Sequence, residues 1–374
     1  MSFCPGNFPS PEGVLEDKPF KFLLQGIDTL QVAYFLEVAS DAALDFEFLA
    51  EKKEELRQAK RKEPCPVKIG NTEFLLQPYG TASGYSYVLT NEDFKIELGE
   101  FTKPNFFVTF YSQALWKESA RFLHQKFLKW AASAGCKPYR KEAISRVDFA
   151  FDYYLPEIDF TQDSFKTRSA KDGQYREKKK VQTFCFGKGD IVLRVYDKVA
   201  EIRQQSNKVW FFLLWGRRTD VWRIEWQLRK SILKRFDIIT LEDLEDQKGD
   251  LLRYLAEEHD TLRVPTNDSN ASRWPLHPLW QDLQEQIANM NNLGVYRVLG
   301  QNAVLSERLE RIGISIFGYL KRVAAIACIQ NGEDMLTAEE AWQLLRPHFD
   351  QIYDPLSWQL DVRKRVDEMR LGQW

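Results

Sequence analysis

Histidine is scarce in this 374-residue chain: the four present are His124, His259, His277 and His348, none within metal-ligand spacing of another. A paired-histidine metal site therefore cannot be built from local sequence. The five cysteines (Cys4, Cys65, Cys136, Cys185, Cys328) are scattered. They form no metal or redox spacing, and an odd number fits a disulfide framework poorly, so they read as reduced thiols of a cytoplasmic protein. A Walker A loop, a nucleophile elbow and G-x-G-x-x-G are all absent, as are tandem repeats and low-complexity blocks. The opening Met1-Ser-Phe-Cys-Pro-Gly lacks a basic start and apolar run, and the most apolar helical stretch, Ile314 to Ile329, is interrupted by Lys321 and Arg322. No membrane span is expected. Charge of one sign is also lacking: the formal net charge is -2 and the pI is near 6.2. Any affinity for a polyanion must rest on local charge.

What the chain does contain is alternation. Arg146-Val-Asp-Phe-Ala-Phe-Asp-Tyr153, Arg194-Val-Tyr-Asp-Lys198 and Arg223-Ile-Glu-Trp-Gln-Leu-Arg229 each read as half-buried strands with period two. Val147, Phe149 and Phe151 oppose Arg146, Asp148 and Asp152. Val195 opposes Arg194, Tyr196 and Lys198; Ile224, Trp226 and Leu228 oppose Arg223, Glu225, Gln227 and Arg229. In one sheet, these strands would gather carboxylates, a tyrosine and several cations on one face.

The surrounding pattern predicts an α+β fold: an antiparallel sheet backed by helices, then a helical C-terminal region. A proline-rich N-terminal arm is expected over 1–25, a main domain over 26–265, a linker over 266–275 around Thr266-Asn-Asp-Ser-Asn-Ala-Ser272, and helices over 276–374. Strands are expected over 27–38, 73–77, 84–89, 94–98 and 106–111, and a helix over 113–133 with Leu123, Phe127 and Trp130 on one face. Lys166 to Lys180 holds the strongest local basic excess.

With histidine excluded, a metal would need oxygen ligands. Asp148 and Glu225 can supply them, with Asp152 as a third, and such ligands suit Mg²⁺ or Mn²⁺. Tyr196 sits between Arg194 and Lys198 on its face. A tyrosine with an ordinary pKa of about 10 needs such positive charge, or a metal, to attack at neutral pH. The inventory suits phosphodiester chemistry. Beside it stands a purely architectural reading, in which Asp148 pairs with Arg146, Arg223 or Arg229 and Tyr196 is an amphipathic surface tyrosine; Tyr153, Tyr154 and Tyr175 are rival nucleophiles.

The order Ser-Arg-Val-Asp-x-x-x-Asp, Arg-Val-Tyr-Asp-Lys with Glu201 soon after, and Arg-Ile-Glu-x-x-Leu-Arg resembles the Rep_trans-type replication initiation factors, the rolling-circle initiators of plasmids and filamentous phages. Phe110-Tyr-Ser-Gln-Ala-Leu-Trp116, the Trp215 segment and Arg273-Trp-Pro-Leu-His-Pro-Leu-Trp280 extend the likeness over roughly residues 26 to 280. The resemblance implies a divalent-metal-dependent nickase and ligase that forms a 5′-phosphotyrosine at a single-stranded or cruciform origin. It implies Tyr196 as nucleophile, Asp148 and Glu225 (with Asp152 beside them) as metal ligands, and Arg194, Lys198 and Arg223 at the scissile phosphate. Arg146, Arg229, Arg217, Arg218, Lys178, Lys179 and Lys180 are the further expected DNA contacts. A homodimer and contacts with a host helicase and polymerase are the implied partners. A conjugative relaxase, a non-catalytic copy-number regulator and a water-using metal nuclease are the alternatives.

Overall fold

The computed structural model describes residues 19–59, 63–177, 180–290, 301–332 and 335–370, and the chain divides into two compact units, Met1–Val298 and Leu299–Trp374. The first unit is a large antiparallel sheet backed by helices. Its spine is a pair of long strands, β1 (Lys21–Val38) and β7 (Cys136–Tyr154), antiparallel along almost their whole length. Strand β1 begins five residues before the expected start of structure at 26, because Lys21 to Gln25 pair with Phe151 to Tyr154. The rest of the expected arm, up to residue 18, lies outside the described residues.

Around this pair the chain runs through one plan twice, a repetition of topology that leaves no repeat in the sequence. After β1 come α1 (Phe46–Gln58), then the meander β2 (Cys65–Ile69), β3 (Thr72–Leu76), β4 (Tyr87–Thr90), β5 (Phe94–Leu98) and β6 (Phe106–Phe110), then the helices α2 (Ser112–Lys117) and α3 (Ala120–Ser133). After β7 come β8 (Phe165–Thr167), β9 (Asp172–Glu177), β10 (Lys180–Phe186) and β11 (Ile191–Asp197). The helical segment α4 (Lys198–Glu201) and α5 (Phe211–Trp215) follows, then β12 (Val221–Arg229), α6 (Lys230–Arg235) and α7 (Leu241–Tyr254). Each pass lays its outer strands first and returns its last strand against the long one. The resulting sheet order is β2-β3-β4-β5-β6-β1-β7-β12-β11-β10-β9.

One face of this sheet is the core. Leu30, Val32, Tyr34, Val147, Phe149, Phe151, Val195, Ile224, Trp226 and Leu228 are buried there, as the alternation predicts. Helix α3 supplies Leu123, Phe127 and Trp130, the expected aromatic stripe. The single helix expected over 113–133 is two, since Ser119 caps a fresh start by accepting from Phe122 N–H. Gly135 follows α3 at φ +82°, and a Cβ there would lie 2.6 Å from Ala42. The left-handed turn and the close approach both require glycine. Strand β9 was not expected. It is a charged edge strand without an apolar stripe, so no period-two signal marks it, and its charge suits a strand that must not pair further.

The second unit contains α9 (Gln301–Asn331), α10 (Ala338–Ile352) and α11 (Pro355–Arg370), taking the name α8 for Pro278–Ala288 in the first. Thr337 and Glu340 form the expected capping box of α10. Within α9, Ile312–Asn331 is long and apolar enough to cross a membrane by length and composition alone. Lys321 and Arg322 sit at its middle, where each would cost about 2.5–3.5 kcal/mol in a bilayer.

The expected linker over 266–275 is instead a closed excursion of the first unit. Arg263 bridges Leu276, Val264 N–H donates to Pro275 O, and the Arg263 guanidinium donates to Trp274 O at 2.7 Å. Polar turn residues thus mark a pinned loop, and the helical segment beginning at 276 returns to the core. Helix α8 buries Leu279, Trp280, Leu283 and Ile287, and the Trp280 indole donates to Ala256 O at 2.8 Å. Trp280→Ala should cost about 3–5 kcal/mol of stability. Urea unfolding of the whole chain followed by circular dichroism checks this; a loss below about 1 kcal/mol would contradict the placement of α8 in the core.

Candidate active site

The face opposite the core holds the polar residues of the three motifs. Across β7, β12 and β11 the register pairs Asp152 with Arg223 and Tyr196, Ala150 with Glu225 and Arg194, and Asp148 with Gln227. The strands therefore place the expected acids, cations and tyrosine in adjoining rows. They do not form one site. The side chains separate into a buried ionic cluster at one end and a more accessible group beside it.

Arg223 is the centre of the buried cluster and is 0 % exposed. Its guanidinium donates to both oxygens of Asp152, at 2.6 and 2.9 Å, and to Asp28 at 2.7 Å. Trp215 completes Asp152 with an indole bond of 2.9 Å. Asp28 also accepts from Ser112, Trp116 and Lys208. Above the guanidinium, Phe211 and Trp116 lie 4.5 and 5.3 Å away, ring centroid to carbon. Val199, Ile202, Phe211, Trp215 and Val221 form an apolar roof around them. Gly26 makes room, because a Cβ there would meet the Trp116 ring at 3.0 Å.

This arrangement corrects three expectations. Arg223 is sealed under the roof and cannot reach a phosphate. Asp152 is 0 % exposed, with both oxygens taken by Arg223 and Trp215, so it belongs to the buried ionic cluster. Lys198 is 1 % exposed and held by Glu201 at 2.7 Å, and burial, then Arg223, lower its pKa. It lies 5.5 Å from the Tyr196 ring centroid without reaching solvent. The residue missed by sequence reading is Asp28. Strict alternation puts it on the core face with Leu30, but a bulge between Ile27 and Thr29 turns it to the polar side. An acid at an expected core position was the available signal.

Next to this cluster, the Tyr196 hydroxyl donates to Glu225 Oε2 at 2.8 Å. Arg194 holds the other oxygen of Glu225 at 3.2 Å and Gln227 at 3.0 Å. Burial, then Asp28, raises the Glu225 pKa, and burial, then Glu225, pushes the Tyr196 phenol well above its ordinary value. Tyr196 therefore rests protonated. Arg146 holds Asp148 with two bonds of 2.8 and 2.5 Å, the pairing that the architectural reading anticipates, while burial still raises the Asp148 pKa. A pocket of about 230 Å³, lined by Arg194, Tyr196, Glu225, Thr183 and the turn after α4, opens onto the tyrosine. A second, of about 470 Å³, opens onto Asp28 and Lys208.

The rival tyrosines are placed differently. Tyr153 lies on the core face, donates to Asp282 and is pushed far above its ordinary pKa by burial. Tyr154 lies under the Arg217 guanidinium, 3.6 Å from its ring centroid. Tyr175 is exposed, two strands out in the same row as Tyr196. Of the expected DNA contacts, Arg218, Arg229 and Lys180 are exposed and Arg217 half-buried, whereas Lys178 and Lys179 lie outside the described residues. Arg146 is committed to Asp148.

Among the described residues, no group of three or more His, Cys, Asp or Glu side chains is arranged to hold a metal. The donor set for a cation is thus two carboxylates, Asp148 and Glu225, each raised in pKa by burial. Mg²⁺ commonly binds through one or two carboxylates, with waters and phosphate oxygens completing its shell, so the chemistry of this donor set suits such an ion. Arg146, Arg194 and Tyr196 occupy these oxygens and would have to yield part of them.

No protein-family model and no curated protein matches the chain. Among solved structures it is similar to the rolling circle replication initiator protein from Geobacillus stearothermophilus, with 19% sequence identity over 73% of this chain and 98% of that chain and a TM-score of 0.41.

Removing one partner of the buried cluster strands a charge, so Asp152→Asn should cost about 3–5 kcal/mol; denaturant unfolding measures it, and a near-neutral result would show that Arg223 finds another partner. The pH dependence has a definite sign at Asp28. Burial opposes its charge, but Arg223, then Lys208 and Lys198, hold its carboxyl well below the usual range. A carboxylate depressed in the folded state stabilises fully above its unfolded pKa and loses that contribution as pH falls below it. The stability gap between wild type and Asp28→Asn should hold from pH 7 to about 5 and narrow below about 4. A gap independent of pH would rule this ionisation out.

Proposed function

We propose that the chain nicks and rejoins one strand of DNA through Tyr196, as a rolling-circle replication initiator. The observation that carries this reading is the hydrogen bond from Tyr196 to Glu225 at the base of an open pocket, with Arg194 clamped beside it. A tyrosine whose hydroxyl is handed to a buried carboxylate has a proton acceptor in place. The order of motifs resembling the Rep_trans-type initiators supports the same assignment.

In this mechanism Glu225 takes the phenol proton as the Tyr196 oxygen attacks phosphorus. The bond from phosphorus to O3′ breaks, the 5′ phosphate stays on Tyr196, and O3′ takes a proton from water to become a free 3′ hydroxyl. Arg194 is the exposed-side cation at the attacked phosphate. The buried Lys198, 5.5 Å from the ring, stabilises the developing phenolate, and the Arg223 cluster holds β7 and β12 in register. A divalent ion held by Asp148 and Glu225 would polarise the phosphoryl oxygen and offset transition-state charge. Rejoining is the reverse step, with a 3′ hydroxyl attacking the phosphotyrosine. The exposed Lys180, Arg218 and Arg229 bind backbone phosphates on either side. A conjugative relaxase would use the same chemistry.

Denaturing electrophoresis with single-stranded DNA and Mg²⁺ or Mn²⁺ tests the central step. Wild type should give a covalent adduct, and Tyr196→Phe should give none while still binding DNA. Glu225→Gln and Asp148→Asn should lower adduct yield by at least roughly a hundredfold, within the range for loss of a general base or metal ligand. Cleavage without an adduct, indifferent to Tyr196→Phe, would establish a water-using nuclease; binding without cleavage would establish a regulator. Separately, changing Lys180 and Arg218 to Gln should reduce the salt slope of single-strand binding by about 0.7 per charge. An unchanged slope would remove those residues from the DNA path.

A further inference from the structure

The pocket beside Asp28 takes no part in the mechanism above, yet it opens on the same face of the sheet as Tyr196. Thr29 of β1 and Thr109 of β6 form its floor. Thr29 pairs with Asp148, and Asp148 with Gln227 on β12, so one cross-strand row runs from the Asp148 carboxylate into this pocket. The sheet order β6-β1-β7-β12-β11 puts the floor three to four strand spacings from the strand of Tyr196, about 14–19 Å.

The lining is poor in free positive charge. Among the described residues its cation is Lys208, held by Asp28 at 3.0 Å, and Glu92 adds an acid. It is ill suited to a phosphate. What it offers is an aromatic platform. The partly buried Trp210 stacks on Phe211, with ring centroids 3.9 Å apart and planes at 24°. Phe211 is 0 % exposed and covers the Arg223 guanidinium, so the outer ring rests on a fixed layer and needs little ordering when a ligand arrives. The Trp215 indole N–H is taken by Asp152, whereas that of Trp210 has no partner among the described residues. A held ring with a donor to spare, beside threonine hydroxyls and the amide side chains of Gln113 and Asn207 in a pocket of about 470 Å³, matches the π-face and neutral polar edges of a nucleobase.

We propose that Trp210 is a stacking platform for one unpaired nucleobase of the same DNA strand whose phosphate is presented to Tyr196. The platform rests on the single-strand reading above and extends its path to the far side of residues 198–215, which separate the two pockets. The strand passes outside that segment, where Arg203, Gln204, Gln205 and Asn207 are exposed. Stacking is tolerant of sequence because every base has a π-face, and it releases no counterions. Trp210 therefore adds affinity without base preference and without salt dependence, the opposite signature to that of Lys180 and Arg218.

The test uses the full chain with Mg²⁺ and mixed-sequence single-stranded DNA of roughly 16 nucleotides carrying iodouracil in place of thymine. Irradiating the wild-type complex should crosslink DNA to Trp210, located by mass spectrometry of the DNA-linked peptides. Trp210→Ala should weaken binding by about 5- to 150-fold, the loss of one stacked base, with the salt slope unchanged, and Trp210→Phe should keep most of the affinity. A wild type that binds the strand without a crosslink at Trp210 would overturn the platform, however well Trp210→Ala folds. So would a Trp210→Ala loss that comes with a changed salt slope, the mark of a phosphate contact. A crosslink at Trp210 with no adduct at Tyr196 would uphold the platform and refute the nicking reading; an adduct with no crosslink would do the reverse.

Discussion

Everything on the polar face depends on one buried arginine. Arg223 joins the three central strands at once, through Asp28 on β1 and Asp152 on β7, from its own place on β12. Such a group is expensive to desolvate, and it is tolerated because all three donor groups of the fork are used and aromatic rings cover the rest. An apolar cluster could have replaced it with little loss of stability. What the ion pairs add is register: a shift of β12 by one residue would bury Arg223 without partners, so the geometry of Glu225, two residues along, is fixed by the same contacts.

The roof over this arginine explains why the tyrosine is accessible from one side only. The segment Lys198–Trp215 crosses the open face, burying Lys198 and Phe211 beneath it and leaving the Gln204 side exposed. Two pockets result, one against Tyr196 and one against Asp28, sharing the same crossing segment as their divide. A group attacking from Tyr196 thus meets its target in the pocket bounded by the β9–β10 hairpin. Arg176 and Lys180 of the basic run lie on that hairpin.

The fold class, the three motif strands and the face on which each side chain lies were legible from period two alone, since Val147, Phe149, Phe151, Ile224, Trp226 and Leu228 bury as a clean stripe. Which polar residues work together was not. Asp28 was hidden by a bulge, which reverses the parity on which the reading depends. Arg223 and Lys198 looked like surface cations because the covering segment, apolar but short, gives no sign in sequence of where it folds back. The linker was misplaced for a related reason. Turn-forming residues report local backbone, and only the burial of Trp280 shows that the chain afterwards rejoins the same core.

The first motif shows why spacing on a strand constrains chemistry. Asp148 and Asp152 share a face, yet four residues of strand at about 3.3 Å each separate their backbones by about 13 Å. Two carboxylates that far apart cannot both reach oxygen-to-metal distances of about 2.0–2.6 Å around one ion without bending the strand. The two acids of the motif must therefore do different work. Asp152 stays at the buried end, where Arg223 and Trp215 take its oxygens. Asp148 lies near the more open end, beside Gln227 and paired with the half-buried Arg146. A ligand set built around Asp148 has to come from the neighbouring strand, and on β12 the acid that burial and charge single out is Glu225. Its other contact is Tyr196, so metal binding and nucleophile activation would converge on a single carboxylate.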